Sequence, residues 1–170
     1  MNITEGVRFD TLGLSEELLR GLEKKGITQS TPVQAGCIPP MMEWKDVIAK
    51  APTGTGKTFA FGLPIIEHID PEEECLQAVI MAPTRELAIQ IHKDAEAINV
   101  FADYTNVVVF GGMDHDKQRK TLQQKIDILA GTPGRIIDYV RSGALDLTLG
   151  LLEVRLLREF LHQLTLLGSK

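Results

Sequence analysis

Four apolar runs of strand length, at residues 46–51, 76–82, 106–110 and 126–130, are each followed by a segment with helical signals. This alternation constrains the chain more than any other feature, because strand, helix and strand in repetition form a parallel sheet with crossover helices. The expected fold is therefore α/β. Helix boundaries are marked by specific chemistry. Ser15 is placed to cap a helix over 16–25, with Glu16 and Glu17 in its first turn, Lys24 and Lys25 in its last, and Gly26 set for a left-handed C-cap. Thr31-Pro32 and Thr132-Pro133 each put a capping hydroxyl directly before a proline at the first helical position. The helix from Arg85 carries Leu87, Ile91, Ala95 and Ile98 on one stripe, and the helix from Arg135 carries Ile136, Ile137 and Val140 before stopping near Gly143. Gly111-Gly112 ends a β-branched strand, and the polar run 114–120 opens an exposed helix.

Composition narrows the classes. The 170 residues are 44% hydrophobic with both charge signs interspersed, which describes one ordinary domain with a core rather than a disordered chain. The net charge of -5 gives no overall basic footprint, so any polyanion must be held locally, by backbone amides, helix ends and single Arg or Lys side chains. Cys37 and Cys75, with His68, His92, His115 and His162, lack metal-ligand spacing and read as structural. No basic stretch leads into an apolar run at the start, and no segment approaches a membrane span, so a cytoplasmic chain is expected. No internal repeat, linker or second-domain boundary is visible.

The strongest local signal is Ala51-Pro52-Thr53-Gly54-Thr55-Gly56-Lys57-Thr58, between a predicted strand and a predicted helix. It has the Walker A layout, with Ala51 where the stricter pattern has Gly. Gly54 and Gly56 let successive N–H groups turn inward on a phosphate, and the helix beginning near Lys57 adds its positive dipole end. Lys57 would bridge the β and γ phosphates, and the Thr58 hydroxyl would ligate Mg²⁺. Upstream stand Phe9, then Gly26-Ile27, Thr31-Pro32 and Gln34 in fixed order. A Gln amide can pair with the N6/N7 edge of adenine and an aromatic ring can stack on a base, a combination that favours ATP over GTP.

These elements, followed by Pro83-Thr84-Arg85-Glu86-Leu87-Ala88, Gly111-Gly112 and Thr132-Pro133-Gly134-Arg135, occur in the order and close to the spacing of the DEAD-box RNA helicases. The resemblance covers about residues 7–147. It implies a RecA-like P-loop NTPase sheet with helices on both faces, over residues 1–147, incomplete at its C-terminal end. It further implies an ATP and Mg²⁺ site at Phe9, Ile27, Thr31, Gln34 and 53–58, with Lys57 and Thr58 serving phosphoryl transfer. An RNA-backbone surface is implied at Pro83, Thr84, Arg85, Gly111, Gly112, Thr132, Pro133, Gly134 and Arg135, together with a second RecA-like domain as partner in a full-length form. Contacts of this kind follow the sugar and phosphate and carry no sequence reading.

One departure is plain. The family places a strand ending in Asp-Glu-Ala-Asp roughly fifteen to twenty residues after the TPGR helix, and this tetrapeptide occurs nowhere in the chain. Its acidic residues serve the metal and the attacking water in phosphoryl transfer. Residues 148–170 instead carry Leu149, Leu152, Leu156, Phe160, Leu164 and Leu167 at helical spacing. The expectation is that this tail is foreign to the family; the alternative is a natural short form whose Leu-rich helix covers an apolar face. Three functions follow in order: the first domain of an ATP-dependent RNA helicase, a non-catalytic adenine-nucleotide module without turnover, and a different P-loop enzyme.

Overall fold

Three of the four expected strands form, and they form where the apolar runs lie. The structure is a computed structural model that describes residues 6–99, 104–112 and 114–147. Strands β1 (Ala78–Met81), β2 (Asn106–Val109) and β3 (Ile128–Gly131) build one parallel sheet in the order β1-β3-β2. Ala78 and Asn106 both pair with Ile128, and Met81 and Val109 both pair with Gly131. The central strand β3 is buried along its whole length. The helices are α1 (Glu16–Lys24), α2 (Pro32–Met42), α3 (Lys57–Glu67), α4 (Arg85–Asn99), α5 (His115–Thr121) and α6 (Pro133–Arg141).

The fourth run is a correction. Residues 46–51 pair with no strand among the described residues, and Ile48 is fully exposed. An apolar run becomes a strand only when a neighbouring backbone satisfies its N–H and C=O groups, and none does so here. The tail 148–170 lies outside the described residues.

The chain divides into two compact units, one reaching to Asp70 and including the α4 residues from Lys93, the other formed by Pro71–His92 and the residues from Tyr104 onward. In the first unit, Ser15 caps α1 by accepting from Leu18 N. Gly26, at φ 71°, closes the same helix: its N–H donates to Glu23 O, and Ile27 N donates to Leu22 O. That pair of bonds is the Schellman arrangement, which consumes carbonyls the helix end leaves open. Burial raises the Cys37 thiol above its usual pKa, as befits a small core residue. In the second unit, Val107, Val109, Ile126, Leu129, Ile136, Tyr139 and Leu145 form the core. In its part of α4, Ala88 and Ile91 are buried while Leu87 is exposed, so the expected stripe is displaced by one residue at its start; Ile98, in the first unit's part, is buried as expected. Thr132 is the N-cap of α6, yet its hydroxyl makes no capping hydrogen bond, unlike the capping hydroxyls of Ser15 and Thr31. No helix among the described residues is long and apolar enough to cross a membrane.

Gly131 ends β3, paired with Met81 on one side and Val109 on the other. A Cβ there would stand 2.6 Å from Val109 O, 2.8 Å from Val109 Cγ2 and 3.1 Å from Ile136 Cγ1. Two of those neighbours belong to the paired strand, whose backbone cannot yield without breaking the ladder. Gly131→Ala is therefore expected to lower unfolding stability by about 2–3 kcal/mol, the usual cost of overpacking a core, read as a lower urea midpoint with an unchanged slope.

Candidate functional site

The residues expected to face a nucleotide all lie in the first unit. Gly56, at φ 78°, is the left-handed N-cap of α3, and Gly54, at φ 82°, precedes it in the loop. These conformations are open to glycine at no steric cost. Lys57 opens α3, and its Nζ donates to Ala51 O at 2.6 Å and to Pro52 O at 3.0 Å. The loop thus holds its own cation with neutral carbonyls, weak partners that an anionic phosphate outcompetes. Thr55 Oγ1 donates to Pro52 O at 2.8 Å, which tightens the same turn. Thr53 and Gly54 are exposed, and Thr58 follows Lys57 in the first turn of α3.

The segment around Gln34 is tied to this loop. Thr31 caps α2, accepting from Gln34 N, while Gln34 Oε1 accepts from Thr31 N at 2.8 Å, a reciprocal capping box. Both side chains then reach the loop: Thr31 Oγ1 donates to Thr55 O at 2.8 Å, and Gln34 Nε2 donates to Gly56 O at 3.0 Å. A Cβ on Gly56 would stand 2.3 Å from Gln34 Nε2, so a side chain there would push the amide off its bond to Gly56 O. A primary amide offers two donor hydrogens and two acceptor lone pairs. Each end of Gln34 has one partner, so one N–H and one lone pair remain. Arg8 and Gln29 form an antiparallel bridge, and Phe9 N donates to Thr28 O, which draws the Phe9 segment alongside Ile27. The Phe9 ring itself is a core side chain at 2% exposure, closed to a base as it stands.

The residues expected to face RNA all lie in the second unit. Pro83, Thr84, Arg85, Gly111, Gly112 and Gly134 are exposed, and Thr132, Pro133 and Arg135 are half-buried. Thr84 Oγ1 accepts from Leu87 N and so caps the start of α4, where Arg85 is the first helical residue. Strands β1, β2 and β3 run parallel, and Pro83–Arg85, Gly111-Gly112 and Thr132–Arg135 each follow the C-terminal end of one of them. The topology therefore gathers three segments that are far apart in sequence at one edge of the sheet. In open α/β sheets that edge is where ligands bind. Arg85 lies over the Phe110 ring at 4.9 Å, and Arg135 lies 5.6 Å from the Tyr139 ring.

Sequence reasoning missed three of the supporting residues. Gln118 is buried within the polar run 114–120, and Phe110 and Tyr139 are buried under the two arginines. The spacing of Gln118 to Leu122, four residues, was the available signal: Leu122 packs against the core, so Gln118 shares its inward face. Among the described residues no group of His, Cys, Asp and Glu could hold a metal ion. Mg²⁺ needs no such cage when phosphate oxygens and water complete its shell, and a single hydroxyl such as that of Thr58 suits it.

Comparison with known proteins agrees with this geometry. The chain is 42% identical over 139 residues to the DEAD-box ATP-dependent RNA helicase CshA of Geobacillus kaustophilus, covering 82% of this chain and 30% of that one. It is 42% identical over 147 residues to the ATP-dependent RNA helicase DeaD of Haemophilus influenzae, covering 86% and 24%. The chain thus spans less than a third of the length of these curated relatives. Among solved structures, it superposes on a DEAD box protein from Methanococcus jannaschii with a TM-score of 0.80 at 33% identity, covering 85% of this chain and 40% of that one. An S. cerevisiae Dbp5 variant bound to RNA and ADP BeF3 gives a TM-score of 0.71 at 30% identity, covering 83% and 36%. The match to the DEAD/DEAH box helicase family runs over residues 31–157, most of the chain, and with the glycine loop at 51–58, its glutamine buttress and the strand-end segments in place the chain belongs to that family.

Proposed function

We propose that this chain is the ATP-binding and RNA-binding first RecA-like domain of a DEAD-box RNA helicase, occupying residues 1–147. In the full-length protein it would act with a second RecA-like domain in ATP-dependent unwinding of RNA duplexes, in the cytoplasm. The observation that carries the nucleotide half is the pair of hydrogen bonds from Thr31 to Thr55 O and from Gln34 to Gly56 O. They join a base-reading segment to a phosphate loop before any ligand arrives. The hydrogen and lone pair left on Gln34 match the N7 acceptor and N6 donor of adenine. Guanine offers O6 in place of the amino group and leaves that lone pair unmet. Lys57 and the amides of 54–58 are suited to the phosphates, Thr58 to the Mg²⁺ that would neutralise them.

On the RNA side, Thr84, Arg85, Gly111, Gly112, Thr132 and Arg135 supply amides and guanidinium groups for a phosphate backbone, which fits an acidic protein without a broad basic surface. The 170 residues lack the Asp-Glu-Ala-Asp sequence that serves metal and water, so the behaviour assigned to them alone is nucleotide binding without meaningful turnover.

The test separates base reading from loop support. Titration of fluorescent ATP and GTP analogues with Mg²⁺ should show ATP preferred in the native chain. Gln34→Ala should weaken ATP by about tenfold, near the worth of a good polar pairing, and reduce the preference towards unity. An equal loss for both nucleotides would confine Gln34 to supporting the loop. Native binding of neither would overturn the nucleotide reading.

A further inference from the structure

Both arginines expected to meet RNA pack against an aromatic ring, and Arg85 lies closer to its ring. Its guanidinium carbon sits 4.9 Å from the centroid of the Phe110 ring, a cation–π distance. Its Nη1 also lies 3.7 Å from where a Cβ on Gly112 would stand, so the guanidinium is beside the Gly111-Gly112 turn as well as over the ring. Gly112 itself takes φ 85°.

The ring is fixed in turn. Phe110 is 4% exposed, and Gln118 of α5 holds its backbone at both ends. Phe110 N donates to Gln118 Oε1 at 3.2 Å, and Gln118 Nε2 donates to Phe110 O at 3.1 Å. A buried side-chain amide thereby continues the ladder past the last paired residue of β2, and it is satisfied on both atoms. Asp114 caps α5, accepting from Asp116 N and Lys117 N, which fixes the helix that carries Gln118. The support runs from the Asp114 cap through Gln118 and Phe110 to Arg85.

We propose that Phe110, locked by Gln118, is a positioning residue for RNA: its ring pre-orients the Arg85 guanidinium beside the Gly111-Gly112 turn, so that one phosphate meets an ordered fork and exposed turn backbone together. This rests on the reading of Arg85 as an RNA contact. A free Arg side chain loses rotamer freedom when it binds, and a stacked one has already lost part of it, so the phosphate contact costs less to form.

The test uses the whole chain with fluorescein-labelled oligouridylate, followed by anisotropy over a range of salt concentrations. Arg85→Ala should weaken binding and reduce the salt slope by about one, the signature of a lost phosphate contact. Phe110→Leu keeps the charge and the bulk but removes the π face. It should weaken binding by about threefold with the salt slope retained, and cause no further loss in the Arg85→Ala background. The Arg85 Nε–H resonance should shift when the ring is removed, because it lies within the ring's current.

Native affinity in Phe110→Leu, or an equal further loss in the Arg85→Ala background, overturns the positioning role and leaves the RNA reading intact. Native affinity in Arg85→Ala overturns the RNA reading of this surface itself. If Phe110→Leu does not fold, Phe110→Met, which keeps an apolar side chain and loses the π face, decides: a loss that disappears in the Arg85→Ala background supports the role and native affinity overturns it.

Discussion

Lys57→Ala should weaken ATP binding by about 30-fold to 150-fold while leaving the folded chain as stable as before. The magnitude is that of a charge-assisted hydrogen bond to phosphate, about 2–3 kcal/mol. The separation from stability comes from the structure. Lys57 is exposed, and its ammonium rests on the Ala51 and Pro52 carbonyls at the surface of the loop. Removing it leaves two carbonyls that water can reach, and surface changes of that kind stay within about 0.5 kcal/mol. The checks are the nucleotide titration and a urea midpoint on the same protein. Unaltered ATP affinity would remove Lys57 from the phosphate site. A lowered midpoint would show that its loop contacts are structural and make the binding loss ambiguous.

The contacts of Lys57 also bear on how the loop accepts a ligand. Its ammonium is satisfied by carbonyls that belong to the loop itself, so phosphate binding there would exchange two neutral acceptors for anionic ones. Thr31 and Gln34 meanwhile hold the carbonyls of Thr55 and Gly56, which fixes the far side of the loop. On the phosphate side, a bound nucleotide would need the Lys57 side chain to leave those carbonyls, with the glycine conformations already set at Gly54 and Gly56.

The sequence was most legible where backbone chemistry is local. The Ser15 and Thr31 caps, the Gly26 closure and three strands within two residues of their expected limits follow from short-range patterns, and the structure has them. The run 46–51 shows the limit of periodicity. Its apolar residues match a strand, yet strand formation depends on a partner that no local pattern encodes. Tyr139 shows another limit. Its neighbours Ile136, Ile137 and Val140 suggested a stripe, but the residue buried completely with Ile136 is the aromatic one, whose hydroxyl donates to His115 O while Arg135 donates to it. A side chain with an apolar body and a polar end gives an ambiguous signal in any hydropathy pattern. The candidate site residues stood out in the sequence because most of them fall in turns and helix starts of distinctive composition, although Phe9 and Gln34 are buried. Their supports, Phe110 and Gln118, did not stand out, since one reads as ordinary core and the other as ordinary surface.

Asp127 carries the largest expected effect on stability. It is 1% exposed and stands just before β3, at the start of the sheet. Its Oδ2 accepts from Thr105 N at 2.7 Å, and its Oδ1 accepts from Gln77 Nε2 at 3.1 Å, with Lys125 Nζ 3.9 Å away. Its backbone is engaged as well: Asp127 N donates to Thr105 O, and Asp127 O accepts from Gln77 N and Ala78 N. One residue therefore ties the entrances of β1 and β2 to β3, and the carboxylate answers donors from both neighbours. Asp127→Ala leaves the Thr105 amide and the Gln77 side chain facing a buried gap. The expected cost is about 3–5 kcal/mol, that of stranding buried partners, against a total of about 5–15 kcal/mol for an ordinary domain. Asp127→Asn keeps the shape and one acceptor oxygen but turns an amide nitrogen toward one of the two donors, and should lose about 1–3 kcal/mol. Urea unfolding of the three proteins should rank native, Asn and Ala in that order at constant slope. Equal midpoints for the Asn and Ala variants would show that the volume of the side chain, and not its acceptors, holds the strand entrances together.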